Sequence, residues 1–189
     1  MKAFDTITQL TYQQLLEIKA LGYGAIGIYM RSDRTPPSYI AQIRKAGLKM
    51  FLIYEKGNPT SKEYFTKEQA LSDAKNAVVW AIANGFNKGA IINTADYDCY
   101  WQDLDGYIQT FHDFIRKQGF LTGLYSGGDC IAHWQDAGYV HYGMLSESSS
   151  FPGWQNYKPR AAIIQTMTHS VNGVMIDEDV INDLTVLVS

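Results

Sequence analysis

Cysteine is nearly absent: 189 residues contain two, Cys99 and Cys130, too few for a scaffold built on disulfides. Both follow predicted strand ends, so the fold is free to bring them close; two free thiols is the reading taken over a bridge. Long apolar runs are missing as well. Nothing approaches the roughly 20 residues that cross a bilayer, and Met1-Lys2-Ala3-Phe4-Asp5 lacks the apolar core of a signal peptide. A soluble chain without membrane insertion is expected. Charge of one sign is not in excess either. A net charge of -3 and a pI near 5.8, with scattered lysines and arginines, offer no general attraction to nucleic acid or anionic membranes. Nucleic-acid binding is set aside.

Several cofactor signatures are also lacking. The first predicted strand is not followed by the Gly-x-Gly-x-x-Gly turn of a dinucleotide site. Tyr125-Ser126-Gly127-Gly128 is too short a glycine pattern for a phosphate cradle and reads as a tight turn. No loop of alternating acids surrounds a glycine, so neither a metal nor another cofactor is expected. The four histidines, His112, His133, His141 and His169, share no spacing and read as surface or rim residues. A Ser-His-Asp reading has no strained nucleophile turn behind it.

What is present is ordinary in bulk and specific in pattern. A content of 46% hydrophobic and 19% charged residues suits one globular domain, 1–189, with a single core. Thirteen tyrosines and four tryptophans are many for this length. Several stand beside polar strand ends, where such rings stack on sugars or fill a core rim.

Along the chain one unit recurs: helix, glycine, apolar strand, polar strand end, next helix. Predicted strands cover 3–6, 25–30, 48–55, 89–98, 120–125, 139–145, 161–165 and 174–177. Thr11 with Gln14 and Thr66 with Gln69 have capping-box spacing, and Thr35 before Pro36 opens a helix. Leu15, Ile18 and Leu21 line one helix face; Ala70, Ala74, Ala77, Val78, Ala81 and Ile82 line another. A further helix runs over 101–118, 130–137 makes at most a short one, and the tail 184–188 is a short strand or a docking segment. Gly22, Gly47, Gly85, Gly119 and Gly138 stand where helices hand over to strands. Handovers this short force parallel strands through βα crossovers. Eight of them give an α/β fold, a compact (β/α)8 TIM-like barrel; the chain is short for that fold, so the later helices must be short or missing. An open doubly wound sheet is the alternative.

In such a barrel the strand C-termini converge on one face. That brings together Asp5, Tyr29, Glu55, Asp96, Asp98, Tyr125, Gln165 and Asp177. Crowded carboxylates raise one another's pKa, which keeps a carboxylic acid protonated near neutrality. Paired acids are what glycoside hydrolysis requires.

The motifs Phe4-Asp5-Thr6, Ile53-Tyr54-Glu55, Asp96-Tyr97-Asp98, Gly123-Leu124-Tyr125-Ser126, Ile164-Gln165 and Gly173-Val174-Met175-Ile176-Asp177, in this order, resemble those of the glycoside-hydrolase-like proteins once called domain of unknown function 1906. That group is similar to the family 25 lysozymes, muramidases with a short β/α barrel. The resemblance implies that Asp96 orients or stabilises a substrate N-acetyl group and that Asp98 takes the general acid's place. It further implies that Asp5 and Asp177 are the acids of the first and last strands. Tyr125 and Gln165, with Glu55 and Tyr29, would line the sugar pocket, and Trp154 would serve as a platform. One departure stands out: the lysozymes have Glu where this chain has Asp98.

The expected function is therefore a lysozyme-like glycosidase acting on bacterial cell-wall peptidoglycan, working outside the cell or on the wall. The first alternative is a non-catalytic wall-glycan-binding module with a degenerate site. A wall-associated interaction protein with an unused barrel mouth is the second. Cell-wall glycan is the expected partner in the leading reading.

Overall fold

In the computed structural model, which describes residues 1–148, 151 and 153–189, helix starts and stops follow local chemistry. The Thr11 hydroxyl accepts from the Gln14 N–H while the Gln14 side chain accepts from the Thr11 N–H, a capping box at the head of α1 (Tyr12–Ala20). Pro36 is the N-cap of α2 (Pro37–Ala46), with Pro37 at the first helical position. Thr66 caps α3 (Lys67–Ala83) through the Gln69 N–H. The five handover glycines all have positive φ, from 71° to 92°.

Eight strands close into a barrel in sequence order: β1 (Lys2–Asp5), β2 (Ala25–Tyr29), β3 (Lys49–Tyr54), β4 (Ala90–Thr94), β5 (Leu121–Ser126), β6 (Tyr142–Ser146), β7 (Ile163–Val171) and β8 (Val174–Ile181). The later helices are α4 (Tyr107–Lys117), α5 (Gly128–Asp136) and the four-residue α6 (Trp154–Tyr157). None lies between β7 and β8. The expectation of parallel strands throughout is corrected there: β1 to β7 pair in parallel, but β8 runs antiparallel to both β7 and β1. The cause is local. Asn172 (φ 50°) and Gly173 (φ 78°) form a two-residue turn between the paired Val171 and Val174, and positive φ at both positions matches the twist of a hairpin.

Smaller departures have equally local reasons. The predicted helix 101–118 is a 3-10 turn, Trp101–Leu104, and then α4, broken at Gly106 with φ 76°. β6 begins at Tyr142 because the N–H groups of Tyr139 and Val140 are used to close the end of α5 on the Trp134 carbonyl. Leu21 caps α1 and Ile82 lies on the outer face of α3, so both are exposed rather than inward. The tail docks through a 3-10 turn, Leu184–Val186, and an antiparallel bridge from Val188 to Met50. His112 is not a surface residue: it is fully buried, its Nδ1 faces the Tyr139 carbonyl at 2.5 Å, and burial pushes its pKa down to about 3. Cys99 and Cys130 are buried free thiols with sulfurs 3.5 Å apart.

Strand alternation divides the core in two. Phe4, Ile26, Ile28, Leu52, Ile91, Leu124 and Leu145 face the helices, while Ala3, Ala25, Phe51, Ile53, Ile92, Met144, Ile163 and Ile181 fill the barrel interior. The interior is a packed plug, and it is tight where β1 and β2 meet. A Cβ on Gly27 would stand 2.6 Å from the Phe51 ring and 2.7 Å from Asp5 Cβ, so Gly27→Ala is expected to cost about 1–3 kcal/mol by overpacking. Urea denaturation of the variant checks this; an unchanged midpoint would show that Phe51 yields freely.

Candidate active site

Above this apolar plug the strands open on a cavity of about 300 Å³. The parallel strands deliver Asp5 from the end of β1, Tyr29 from β2, Glu55 just past β3, Thr94 and Asp96 at and beyond the end of β4, and Tyr125 from β5. Gln165 comes from β7. Asp177 arrives differently. Because β8 runs the other way, the mouth end of that strand is its first half, and Asp177 pairs directly with Asp5. Among the described residues, no lysine, arginine or histidine lines this cavity. A larger cavity of about 680 Å³ opens at the opposite end of the barrel, among Phe86, Gly89, Leu121 and Val188, and among the described residues no Asp or Glu lines it.

A hydrogen-bonded chain fixes the floor of the mouth. The Tyr29 hydroxyl donates to Asp5 Oδ1 at 2.8 Å, Gln165 Nε2 donates to Asp5 Oδ2 at 3.3 Å, and the Tyr125 hydroxyl donates to Gln165 Oε1 at 2.8 Å. The Tyr125 bond assigns the orientation of the Gln165 amide, leaving its NH2 to face the carboxylate. At the rim Thr168, past an irregularity in β7 between Gln165 and Met167, donates its hydroxyl to Asp177. The Thr94 hydroxyl is buried beside the cavity and has no partner among the described residues.

Burial and mutual repulsion act on these acids together. Asp5 is fully buried. Burial first and the charge of Asp177 second raise its pKa to about 7, against the hydrogen bonds from Tyr29 and Gln165 that favour its ionised form. Glu55 is raised by burial and by Asp96, partly offset by Arg31 and Arg34. Asp96, on the exposed rim, is raised by partial desolvation of its carboxyl and by Asp177. The arrangement holds several carboxyl groups that gain protons more readily than free ones, beside tyrosine and threonine hydroxyls. Such a mouth suits polyhydroxylated ligands and proton transfer to an oxygen.

Two of the sequence-predicted residues are not brought into the cavity. Asp98 lies two residues beyond Asp96 on an exposed loop and does not line it. β4 ends at Thr94, and the Asp96 N–H is tied to the Pro59 carbonyl, so strand alternation no longer carries Asp98 to the side of Asp96. Trp154 sits on α6, packed against the outer core with Lys158 Nζ 5.8 Å from its ring. Thr94, Met144 and Thr168 line the cavity and were not anticipated. Among the described residues no cluster of histidine, cysteine and acid side chains is arranged to hold a metal.

Residues 16–181 match the family described as Rv2525c-like, glycoside hydrolase-like domain. The uncharacterized protein FadG of Bacillus subtilis (strain 168) is 34% identical over 137 residues, 67% of this chain and 23% of its own length. The chain spans about a quarter of the length of the curated relatives it matches. Among solved structures, the Mycobacterium tuberculosis Tat-secreted protein Rv2525c superposes with a TM-score of 0.78 at 18% identity, covering 96% of this chain and 95% of that one. GHIP, a glycosyl hydrolase 25 of Streptococcus pneumoniae, gives 0.60 at 11% identity over 97% of this chain and 87% of its own. At these identities the two structures establish the shared fold.

Proposed function

Because the chain belongs to the Rv2525c-like, glycoside hydrolase-like domain family, we propose that its acidic mouth cleaves a glycosidic bond in bacterial cell-wall peptidoglycan. The observation that carries this reading is the convergence of Asp5, Glu55, Asp96 and Asp177 on one cavity with tyrosine walls and no basic lining residue. A cavity of about 300 Å³ is at the small end of ligand sites and suits one sugar ring, so the next ring of a glycan lies across the rim. The bond between them then sits near the loop that carries Asp98. In this reading Asp96 stabilises the positive centre that develops on the ring in the cavity, and Asp98 reaches in from outside to protonate the leaving oxygen. Asp5 and Asp177 set the charge beneath the ring, and Glu55, Tyr29, Tyr125 and Gln165 position its hydroxyls. The site of action is outside the cell or on the wall, in keeping with the Tat-secreted protein of the same fold.

The test is release of reducing ends from purified peptidoglycan by the wild type, abolished in the double variant Asp96→Asn/Asp98→Asn. Absence of reducing ends with the wild type sinks the hydrolytic reading. Asp98 is one methylene shorter than glutamate and stands on the rim, so Asp98→Glu is expected to raise the rate about ten- to hundredfold, since misplacement by about 1 Å costs that much. The rate of reducing-end release in that variant checks it; a slower enzyme would remove Asp98 from the proton-donor role.

The position of Asp98 outside the cavity favours a second reading, a wall-glycan-binding module that does not cut. Wall pull-down would then survive Asp96→Asn/Asp98→Asn. It would depend on Tyr29 and Tyr125, which line the cavity, more than on Trp154, which does not.

A further inference from the structure

β8 carries a second inward acid below the mouth. Alternation puts Asp177, Asp179 and Ile181 on one face, and Ile181 belongs to the interior plug. Asp177 pairs with Asp5, while Asp179 pairs with Ala3 of β1 and with Gln165 of β7. Asp179 is thus the diagonal neighbour of Asp5, one layer deeper, and it does not line the cavity. It is 0% exposed, and its side chain lies within hydrogen-bonding reach of Asp5.

Neither oxygen of Asp179 meets a donor among the described residues. The neighbouring donors are committed, since the Tyr29 hydroxyl and Gln165 Nε2 both serve Asp5. No cation faces it. Lys2 of β1 and His169 of β7 meet Glu178 on the outer face of β8, and Arg31 and Arg34 act on Glu55. The charges it does feel are those of Asp5, Asp177 and Glu178, all negative, on top of complete burial. An ionised carboxylate here would lose its hydration with nothing to offset the loss. Two carboxyl groups in contact bond only when one carries the proton.

We propose that Asp179 is a carboxylic acid that keeps its proton through neutral pH and donates it to the Asp5 carboxylate, making Asp179 a positioning residue for the floor of the mouth. Once ionised, above its midpoint of about 7, Asp5 is an anion held by three donors, Tyr29, Gln165 and Asp179. What this contributes to sugar binding rests on the glycan reading above; the protonation itself does not.

The test uses the full chain labelled with 13C at aspartate carboxyl groups. Isotope-edited infrared spectra at pH 9 should show a carboxylic-acid band in the wild type and in Asp5→Asn, and none in Asp179→Asn. Carboxyl NMR titration of Asp5 supplies the sign. Asp179→Asn keeps a neutral donor and should leave the Asp5 midpoint in place. Asp179→Leu removes the donor and should raise it by about one pH unit, a tenfold change in proton affinity. If Asp179 were ionised, both variants would lower the Asp5 midpoint, and that result, or a wild type without the acid band, overturns the proposal. Should the leucine variant not fold, the band and the asparagine titration decide. Neither readout depends on wall hydrolysis, so failure of the glycan reading and failure of this one are distinguishable.

Discussion

Replacing Asp73 with alanine is expected to destabilise the protein by about 3–5 kcal/mol, the combined cost of orphaned buried hydroxyls and of the void left behind. Asp73 lies on the inner face of α3, 1% exposed. Its Oδ1 accepts from the Tyr54 hydroxyl at 2.9 Å and from Gln69 Nε2 at 2.8 Å. Its Oδ2 accepts from the hydroxyls of Tyr64 and Tyr107, both at 2.8 Å. One carboxylate therefore ties β3, α3, α4 and the loop ahead of α3 together behind the barrel wall. Truncation leaves a cavity and strips the buried hydroxyl of Tyr54 of its acceptor. Tyr107 keeps only a 3.3 Å contact with Asn93 Oδ1, and Tyr64 still has the Lys56 carbonyl at 2.6 Å. An orphaned buried hydroxyl costs about 1–3 kcal/mol, and the void adds to it. Asp73→Asn keeps the volume and one acceptor oxygen, so about half the loss is expected. Equilibrium urea unfolding of both variants measures this, and a loss below about 1 kcal/mol for the alanine would show that the tyrosines find other partners.

Asp73 also shows where sequence reading stops. Its helix is recognised from Ala70, Ala74 and Ala77, yet an acid on that same face gives no sign that three tyrosines from three other elements will surround it. The barrel itself was legible because the signals that built it are local: a cap, an apolar face, a glycine in the left-handed region, a short apolar strand. The direction of β8 was not drawn from them, since the glycine rule was carried one unit too far. Val171-Asn172-Gly173-Val174 holds the residues of a two-residue hairpin turn, and that signal outweighs the crossover pattern.

The acids of the mouth were legible to the same degree. Asp5, Glu55 and Asp96 sit at or just past the ends of parallel strands, where the topology alone brings them together. Asp177 is included by the strand-end rule, yet it reaches the mouth from the first half of a strand running the other way, so the rule names the residue without the geometry that brings it there. Asp98 was grouped with Asp96 by a period of two, which lapses once β4 has ended. Thr168 faces Asp177 only after the irregularity in β7, and no spacing in the sequence encodes that irregularity. Asp179 was the recoverable omission: Asp177 and Asp179 alternate on one strand and must share a face.

The pH dependence of stability should separate Asp5 from the other acids. Its pKa is raised from the ordinary 3.8 to about 7 by burial and by Asp177. A raised carboxyl means that the native state holds a proton the unfolded chain has already released. Stability on this account is fully present below about pH 4, falls as pH rises through about 7, and stays at the lower level above that. At 1.36 kcal/mol per pH unit the loss approaches about 4 kcal/mol. Asp179, which keeps its proton above this window, adds its own slope on both sides of pH 7. The wild type should therefore lose stability steeply between pH 5 and 7 and less steeply beyond, with a break near the Asp5 midpoint. Asp5→Asn carries no proton to release. Asparagine still accepts from Tyr29, while the Gln165 contact must turn, so the variant is expected to start with a modest deficit at pH 5. It should then gain on the wild type by about 3 kcal/mol by pH 8, the share of the window that lies above pH 5. Urea midpoints at half-unit steps from pH 5 to 9 measure both curves, and Glu55 and Asp96 contribute to each alike. Parallel curves without a break would mean that Asp5 is already ionised at pH 5, and that its bonds from Tyr29 and Gln165 outweigh its burial.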